Sequence, residues 1–191
     1  DRAACLGRIV EEGIAASEVP FPETALVLSK RFNQNASAAF KEGWFEIQDL
    51  GSQAISLVCA PKSGQLVIDG CAGAGGKTLH LADLMGNSGE ILAVDTDQAR
   101  LKELSIRARR AGVTIARAVL RRDFDQPKYE GRADLVLVDA PCTGSGTIRR
   151  NPSLKWTIKE EEVARYAVRQ VELLRVYASL VRPGGRMVYS T

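Results

Sequence analysis

Three short apolar runs in this chain, Gln65-Leu-Val-Ile-Asp69, Glu90-Ile-Leu-Ala-Val-Asp95 and Asp134-Leu-Val-Leu-Val-Asp139, each close on an aspartate. Runs of this length, rich in Val, Ile and Leu, are strands covered on both faces, as in parallel sheets. A glycine-rich turn from Gly70 to Gly76 follows the first run, then a helical stretch from Lys77 to Met85 that Gly86 stops. Gln98 to Ala111 forms a second helix with Gly112 as its stop signal, and Val113 to Leu120 a third strand. Further on, Thr157-Ile-Lys-Glu160 has capping-box spacing and opens a long helix whose Val163, Ala167, Val171, Leu174 and Ala178 share one face. Pro183-Gly184 ends that helix, and Gly185 to Thr191 is the fifth strand. Strands alternating with helices specify an α/β fold with a doubly wound, Rossmann-like sheet whose ligand lies across the carboxyl ends of the strands. Residues 42–191 carry this rhythm. Residues 1–41, with Pro20-Phe-Pro22 and the polar stretch Asn33-Gln-Asn35, do not, and are expected to be the tail of a separate module.

Composition narrows the function. The apolar runs fall well short of the roughly 20 residues that cross a bilayer. The opening Asp1-Arg-Ala-Ala-Cys-Leu lacks a signal-peptide layout, so the expectation is a soluble, cytoplasmic protein without membrane association. Cys5, Cys59, Cys71 and Cys142 lie far apart, with no CxxC pair, and His80 is the only histidine. A zinc cluster is therefore not expected, and no metal is assigned. Net charge is +3, but arginines cluster, and Arg149-Arg150 follows the turn Asp139-Ala-Pro-Cys-Thr-Gly-Ser-Gly146 directly. That is where a polyanionic substrate would need positive charge.

The loop Asp69-Gly-Cys-Ala-Gly-Ala-Gly-Gly-Lys-Thr78 admits three ligands. A Walker A loop needs glycine where Cys71 stands, and a dinucleotide fingerprint needs its third glycine where Thr78 stands. S-adenosyl-L-methionine fits better, because its sulfonium and ribose hydroxyls call for carboxylates rather than a phosphate cradle. Asp69 and Asp95 end adjacent strands, and Asp95 is suited to accept from both ribose hydroxyls. The bland reading of either acid is a helix cap.

Together, the DGCAGAGGKT loop, the AVDTD strand end and DAPCTGSGTIRRNPSLKW resemble the Sun family of RNA cytosine-5 methyltransferases, and most closely its bacterial ribosomal-RNA branch. The resemblance runs from about Gly43, in Gly43-Trp-Phe-Glu-Ile-Gln-Asp-Leu-Gly-Ser-Gln53, to Thr191. It implies that residues 1–41 end a small α+β RNA-binding domain. It further implies that Cys71, Ala72, Gly73, Ala74, Gly75, Gly76 and Lys77 wrap the cofactor and that Asp95 holds its ribose. Asp123 would sit near the adenine, a place that Asp125 could take instead, and Asp139 would lie beside both the methyl group and the cytosine. The family usually has proline at the position of Ala74, so altered loop stiffness is expected.

From residues alone Cys142 is the natural nucleophile. The resemblance corrects this: in the RNA family a cysteine after Ser-Thr at the end of the fifth strand attacks ring carbon 6, and the proline-cysteine residue assists product release. Here the sequence stops at Tyr189-Ser190-Thr191, so these 191 residues are expected to be a fragment inactive by itself. Arg149, Arg150 and Lys155 are candidate phosphate contacts. Trp156 is either a stacking surface for an unstacked base or core packing. The alternatives are a DNA cytosine-5 enzyme that attacks through Cys142, and a non-catalytic RNA-binding module that keeps the cofactor fold.

Overall fold

In the computed structural model, which describes residues 1–149 and 151–191, the first forty residues form a small α+β unit. Helix α1 (Arg2–Glu11) is capped by the Asp1 carboxylate, which accepts from the Ala4 N–H at 3.0 Å, and it buries Cys5 and Ile9, one turn apart. Strands β1 (Ala16–Glu18) and β2 (Leu26–Leu28) pair antiparallel. A single turn of helix, α2 (Ala38–Lys41), starts at Ser37, whose hydroxyl accepts from the Phe40 N–H. Phe40 then packs on Phe45 with ring centroids 5.6 Å apart, which joins this unit to the segment that follows.

The remainder alternates helix and strand: α3 (Leu50–Cys59), β3 (Leu66–Asp69), α4 (Gly76–Leu84), β4 (Glu90–Asp95), α5 (Gln98–Arg110), β5 (Ala116–Leu120), α6 (Gln126–Tyr129), β6 (Ala133–Asp139), α7 (Leu154–Thr157), α8 (Glu160–Ala178) and β7 (Val181–Ser190). The five strands β3 to β7 form one parallel sheet in the order β5-β4-β3-β6-β7. Successive side chains go to opposite faces. Ile68, Leu92, Val136 and Val138 therefore pack with Phe124, Tyr177 and Leu180, while Val67, Ile91, Leu135 and Leu137 pack with Cys59, Leu81 and Met85. Each such aliphatic side chain, fully buried, contributes about 1.5–3 kcal/mol. From β3 the chain winds outward through β4 and β5, then returns to lay β6 on the other side of β3. That reversal leaves a crevice beyond the carboxyl ends of β3 and β6.

Four local expectations need correction. The third strand begins at Ala116 rather than Val113, because the Asn87 side chain occupies the approach, accepting from Thr114 N–H and donating to the Gly112 carbonyl. Thr157 does not cap the long helix. It ends α7, and α8 starts at Glu160, with Glu162 accepting from the Lys159 N–H at 3.4 Å. The helix face also differs: Tyr177 is fully buried, Tyr166, Gln170 and Leu173 are half-buried, and Val163 and Val171 are exposed. Polar anchors set this rotation. The Tyr177 hydroxyl donates to the Gly70 carbonyl at 2.7 Å, and the Gln170 amide donates to the Pro141 carbonyl at 2.9 Å. A further difference is that Pro183-Gly184 lies within β7, at a register shift opposite Ala133 and Leu135.

Candidate active site

The three strand-ending aspartates meet at one edge of the sheet, and each is held differently. Asp69, at the tip of the central strand β3, is only 1% exposed. Its Oδ2 accepts from the Thr78 hydroxyl at 2.7 Å, while its Oδ1 is buried with no hydrogen-bond partner among the described residues. Burial pushes its pKa up to about 6, against the lowering effects of the Thr78 hydrogen bond and the Lys77 charge. Asp95 spans two backbone donors, accepting from Gly73 N–H through Oδ2 and from Asp97 N–H through Oδ1, both at 2.8 Å. Each of its oxygens keeps a second lone pair for a ligand hydroxyl. Asp139 accepts from the Ser190 hydroxyl at 2.7 Å and is paired with the Lys77 ammonium at 2.5 Å.

The glycine loop is shaped by these neighbours. The Gly70 N–H donates to the Leu137 carbonyl, and the Tyr177 ring lies so close over Gly70 that an added Cβ would overlap it. Gly73 has φ +54°, and Gly75, with φ +86°, closes the turn through its N–H to the Ala72 carbonyl at 2.9 Å. A Cβ on Gly75 would also strike the Leu104 side chain, so that position needs glycine twice over.

A crevice of about 310 Å³ opens over this edge. Small-molecule sites span roughly 300–1,000 Å³. Of the expected cofactor residues, Cys71, Asp95 and Asp139 line it. Lys77 does not line it, and its ammonium is committed to Asp139. Asp123 does not line the crevice: its exposed carboxylate faces Arg122 at 3.8 Å, and Arg121 of the same turn reaches the cavity instead. Arg121, Arg169 and Tyr177 are lining residues that pattern reading missed. Nothing local marks them, since arginines on a helix or turn look like solvated surface. Cys71 is an inert thiol, pushed up to about 12 by burial and then by the charges of Asp69, Asp95 and Asp139.

The loop after β6 is open. Cys142 is exposed, three residues beyond Asp139, and its sulfur accepts from the Gly144 N–H at 3.4 Å. Arg149 and Lys155 are exposed, and the Lys155 ammonium stands 5.3 Å from the centre of the Trp156 ring. Trp156 is 82% exposed, outside the core of the described residues. Arg150 lies outside the described residues.

The donor set fits S-adenosyl-L-methionine better than a triphosphate. The loop lysine that a phosphate cradle would use is already paired with Asp139, whereas Asp95 keeps lone pairs for ribose hydroxyls.

Comparison with known proteins agrees with this geometry. Residues 56–191 match the family described as 16S rRNA methyltransferase RsmB/F. A probable ribosomal RNA small subunit methyltransferase B of Bacillus subtilis is 38% identical over the whole chain, which covers 43% of that protein. The crystal structure of PH0851 superposes with a TM-score of 0.93 at 39% identity, over 99% of this chain and 43% of the other. NSun6 from Pyrococcus horikoshii, solved with SFG, gives 0.75 at 31% identity over 86% of this chain and 43% of the other. The chain thus spans under half the length of the curated relatives it matches. Its sheet order, its loop and its match over more than half its length make the chain a member of the RsmB/F family of 16S rRNA methyltransferases.

Proposed function

We propose that the protein transfers a methyl group from S-adenosyl-L-methionine to carbon 5 of a cytosine in small-subunit ribosomal RNA. The observation that carries this reading is the meeting of Asp95 and Asp139 on one crevice at the reversal point of the sheet, with Asp69 buried at the tip of the strand between them, in a chain of this family. When bound, the cofactor supplies an electrophilic methyl on a cationic sulfur. Asp95 holds the ribose hydroxyls through its unused lone pairs, and the loop from Cys71 to Gly76 brings backbone close to the ligand. Asp69 places buried negative charge beneath it.

Asp139 hydrogen-bonds the target base, and its ion pair with Lys77 keeps that carboxylate aimed. Carbon 5 of cytosine becomes nucleophilic only after a thiolate has added to carbon 6. Cys5 and Cys59 are buried and Cys71 is inert, so Cys142 is the reachable thiol of the four. Its role is elimination, in which the carbon 5 proton leaves and the carbon 6–sulfur bond breaks. The resemblance puts the attacking cysteine just after Thr191.

The substrate base must leave its stack to reach this crevice. Trp156 offers it, or its neighbour, a stacking face, while Arg149, Arg150 and Lys155 meet phosphates. Residues 1–41 belong to an RNA-binding module that orients the strand over residues 42–191. Among the described residues no helix is long and apolar enough to cross a membrane, and action on ribosomal RNA sets the protein in the cytoplasm.

The test is incorporation of labelled methyl groups by the full-length protein. Small-subunit RNA should acquire 5-methylcytosine. Labelling of DNA instead would reassign Cys142 as the attacking group, and tight RNA binding without labelling would reduce the protein to a binding module.

A further inference from the structure

The residues that shape the glycine loop are not all in the crevice. Arg107, in the last turn of α5, donates from Nη1 to the Ala74 carbonyl at 2.7 Å. Its Nε and Nη2 both donate to Glu46, at 3.2 and 2.9 Å, so the guanidinium fork is fixed on its other side. Glu46 in turn pairs with Arg110, which lies 3.8 Å over the Phe40 ring. These are sheltered groups, with Arg107 and Glu46 side chains 15% and 19% exposed. Gly43 lets the lead-in segment approach, because a Cβ there would overlap the Arg110 carbonyl.

The turn held in this way is the one that Asp95 grips. Gly73 N–H goes to Asp95, Ala74 C=O to Arg107, and Gly75 packs on Leu104, one turn before Arg107 on the same helix. Gly73 has positive φ and Ala74 does not, the signature of a II′ turn. Such a turn has few bonds of its own. Here two guanidinium N–H groups converge on Glu46 Oε2 while a third holds the carbonyl, a sheltered constraint unlike an exposed ion pair.

We propose that Arg107 is a positioning residue for cofactor binding: oriented by Glu46, it fixes the Ala74 carbonyl and so presets the loop and the Asp95 carboxylate for the ligand. The inference rests on the cofactor reading above. It also couples the 43–49 segment, which follows the N-terminal unit, to the cofactor site.

The test exploits a second way of stiffening the same turn. Among the described residues no hydrogen bond uses the Ala74 N–H, and its φ is not positive, so Ala74→Pro should rigidify the loop without the arginine. Calorimetry with S-adenosylhomocysteine should show about tenfold weaker binding for Arg107→Ala and a smaller loss for Glu46→Gln. Binding within about twofold of wild type should return in the Arg107→Ala, Ala74→Pro double variant. Exchange of the Gly75 amide should quicken and recover in parallel. Unchanged affinity and unchanged exchange in both folded single variants would overturn the proposal. So would a loss that proline does not restore, which would make Arg107 a packing residue only. If wild type itself fails to bind S-adenosylhomocysteine, the cofactor reading falls, while Gly75 exchange still decides whether Arg107 holds the turn.

Discussion

Over β3 and β4 the carboxyl edge is sheltered and cross-linked: Asp69 is buried against Thr78, Asp95 bridges two backbone amides, and Tyr177 roofs Gly70. Beyond β6, by contrast, Cys142, Arg149, Lys155 and Trp156 stand in solvent on loops and a single turn of helix. The nucleoside half is organised before any ligand arrives, which limits the ordering cost of binding a small molecule. On the proposed function the other half meets a polyanion, whose affinity comes from many phosphate contacts and needs no closed pocket. Asp139 stands at the border, tied to Lys77 on the cofactor side and to Ser190 at the end of β7.

The sharpest way to break this division is at its border. Asp139→Asn in the full-length protein should lower methyl transfer by about 10² to 10⁴. Calorimetry with S-adenosylhomocysteine should find its affinity little changed. A comparable loss of affinity would mean that the two halves are one site. Asp95→Ala should do the reverse, raising the dissociation constant for S-adenosylhomocysteine by about a hundredfold through lost charged hydrogen bonds. Intact affinity would remove Asp95 from the pocket.

Acid titration separates the halves further. The folded-state pKa of Asp69, raised to about 6, means that the native state holds its proton more tightly than the unfolded chain. Its stabilising contribution is therefore full below about pH 4 and is lost as pH rises through 6, a span on the order of 3 kcal/mol. A cationic ligand favours the ionised form, so cofactor affinity should rise from pH 5 to 7. Denaturant melts and calorimetry across that range should show both trends in wild type, and neither in Asp69→Asn.

On the open side, Trp156→Ala should leave stability within about 0.5 kcal/mol yet weaken single-stranded RNA binding by about 1–3 kcal/mol. Lys155→Ala should reduce the salt dependence of binding by about one phosphate contact, measured as the slope of affinity against salt. Smallest of all, Tyr177→Phe should cost about 1 kcal/mol of stability by freeing the Gly70 carbonyl, as read from a denaturant melt. Its RNA affinity should stay unchanged.

Much of this molecule was legible in the chain. The apolar runs that close on Asp69, Asp95 and Asp139 became adjacent or central strands because their pattern has no polar face to offer water. Gly86 and Gly112 ended their helices with positive φ, as a residue without a Cβ does cheaply. The rotation of α8 departs from its hydropathy pattern because Gln170 and Tyr177 anchor that helix through polar atoms.

What the residues determined by themselves were properties with a short period or a local steric cause: strands, turns, helix stops and the line of acids at the strand tips. Only the tertiary structure decided that Lys77 would serve Asp139, 62 residues away, that Arg107 would hold Ala74 through Glu46, and that Arg121 rather than Asp123 would face the crevice. Long side chains choose partners by where the packed sheet brings their tips. That choice has no repeat in the sequence to announce it.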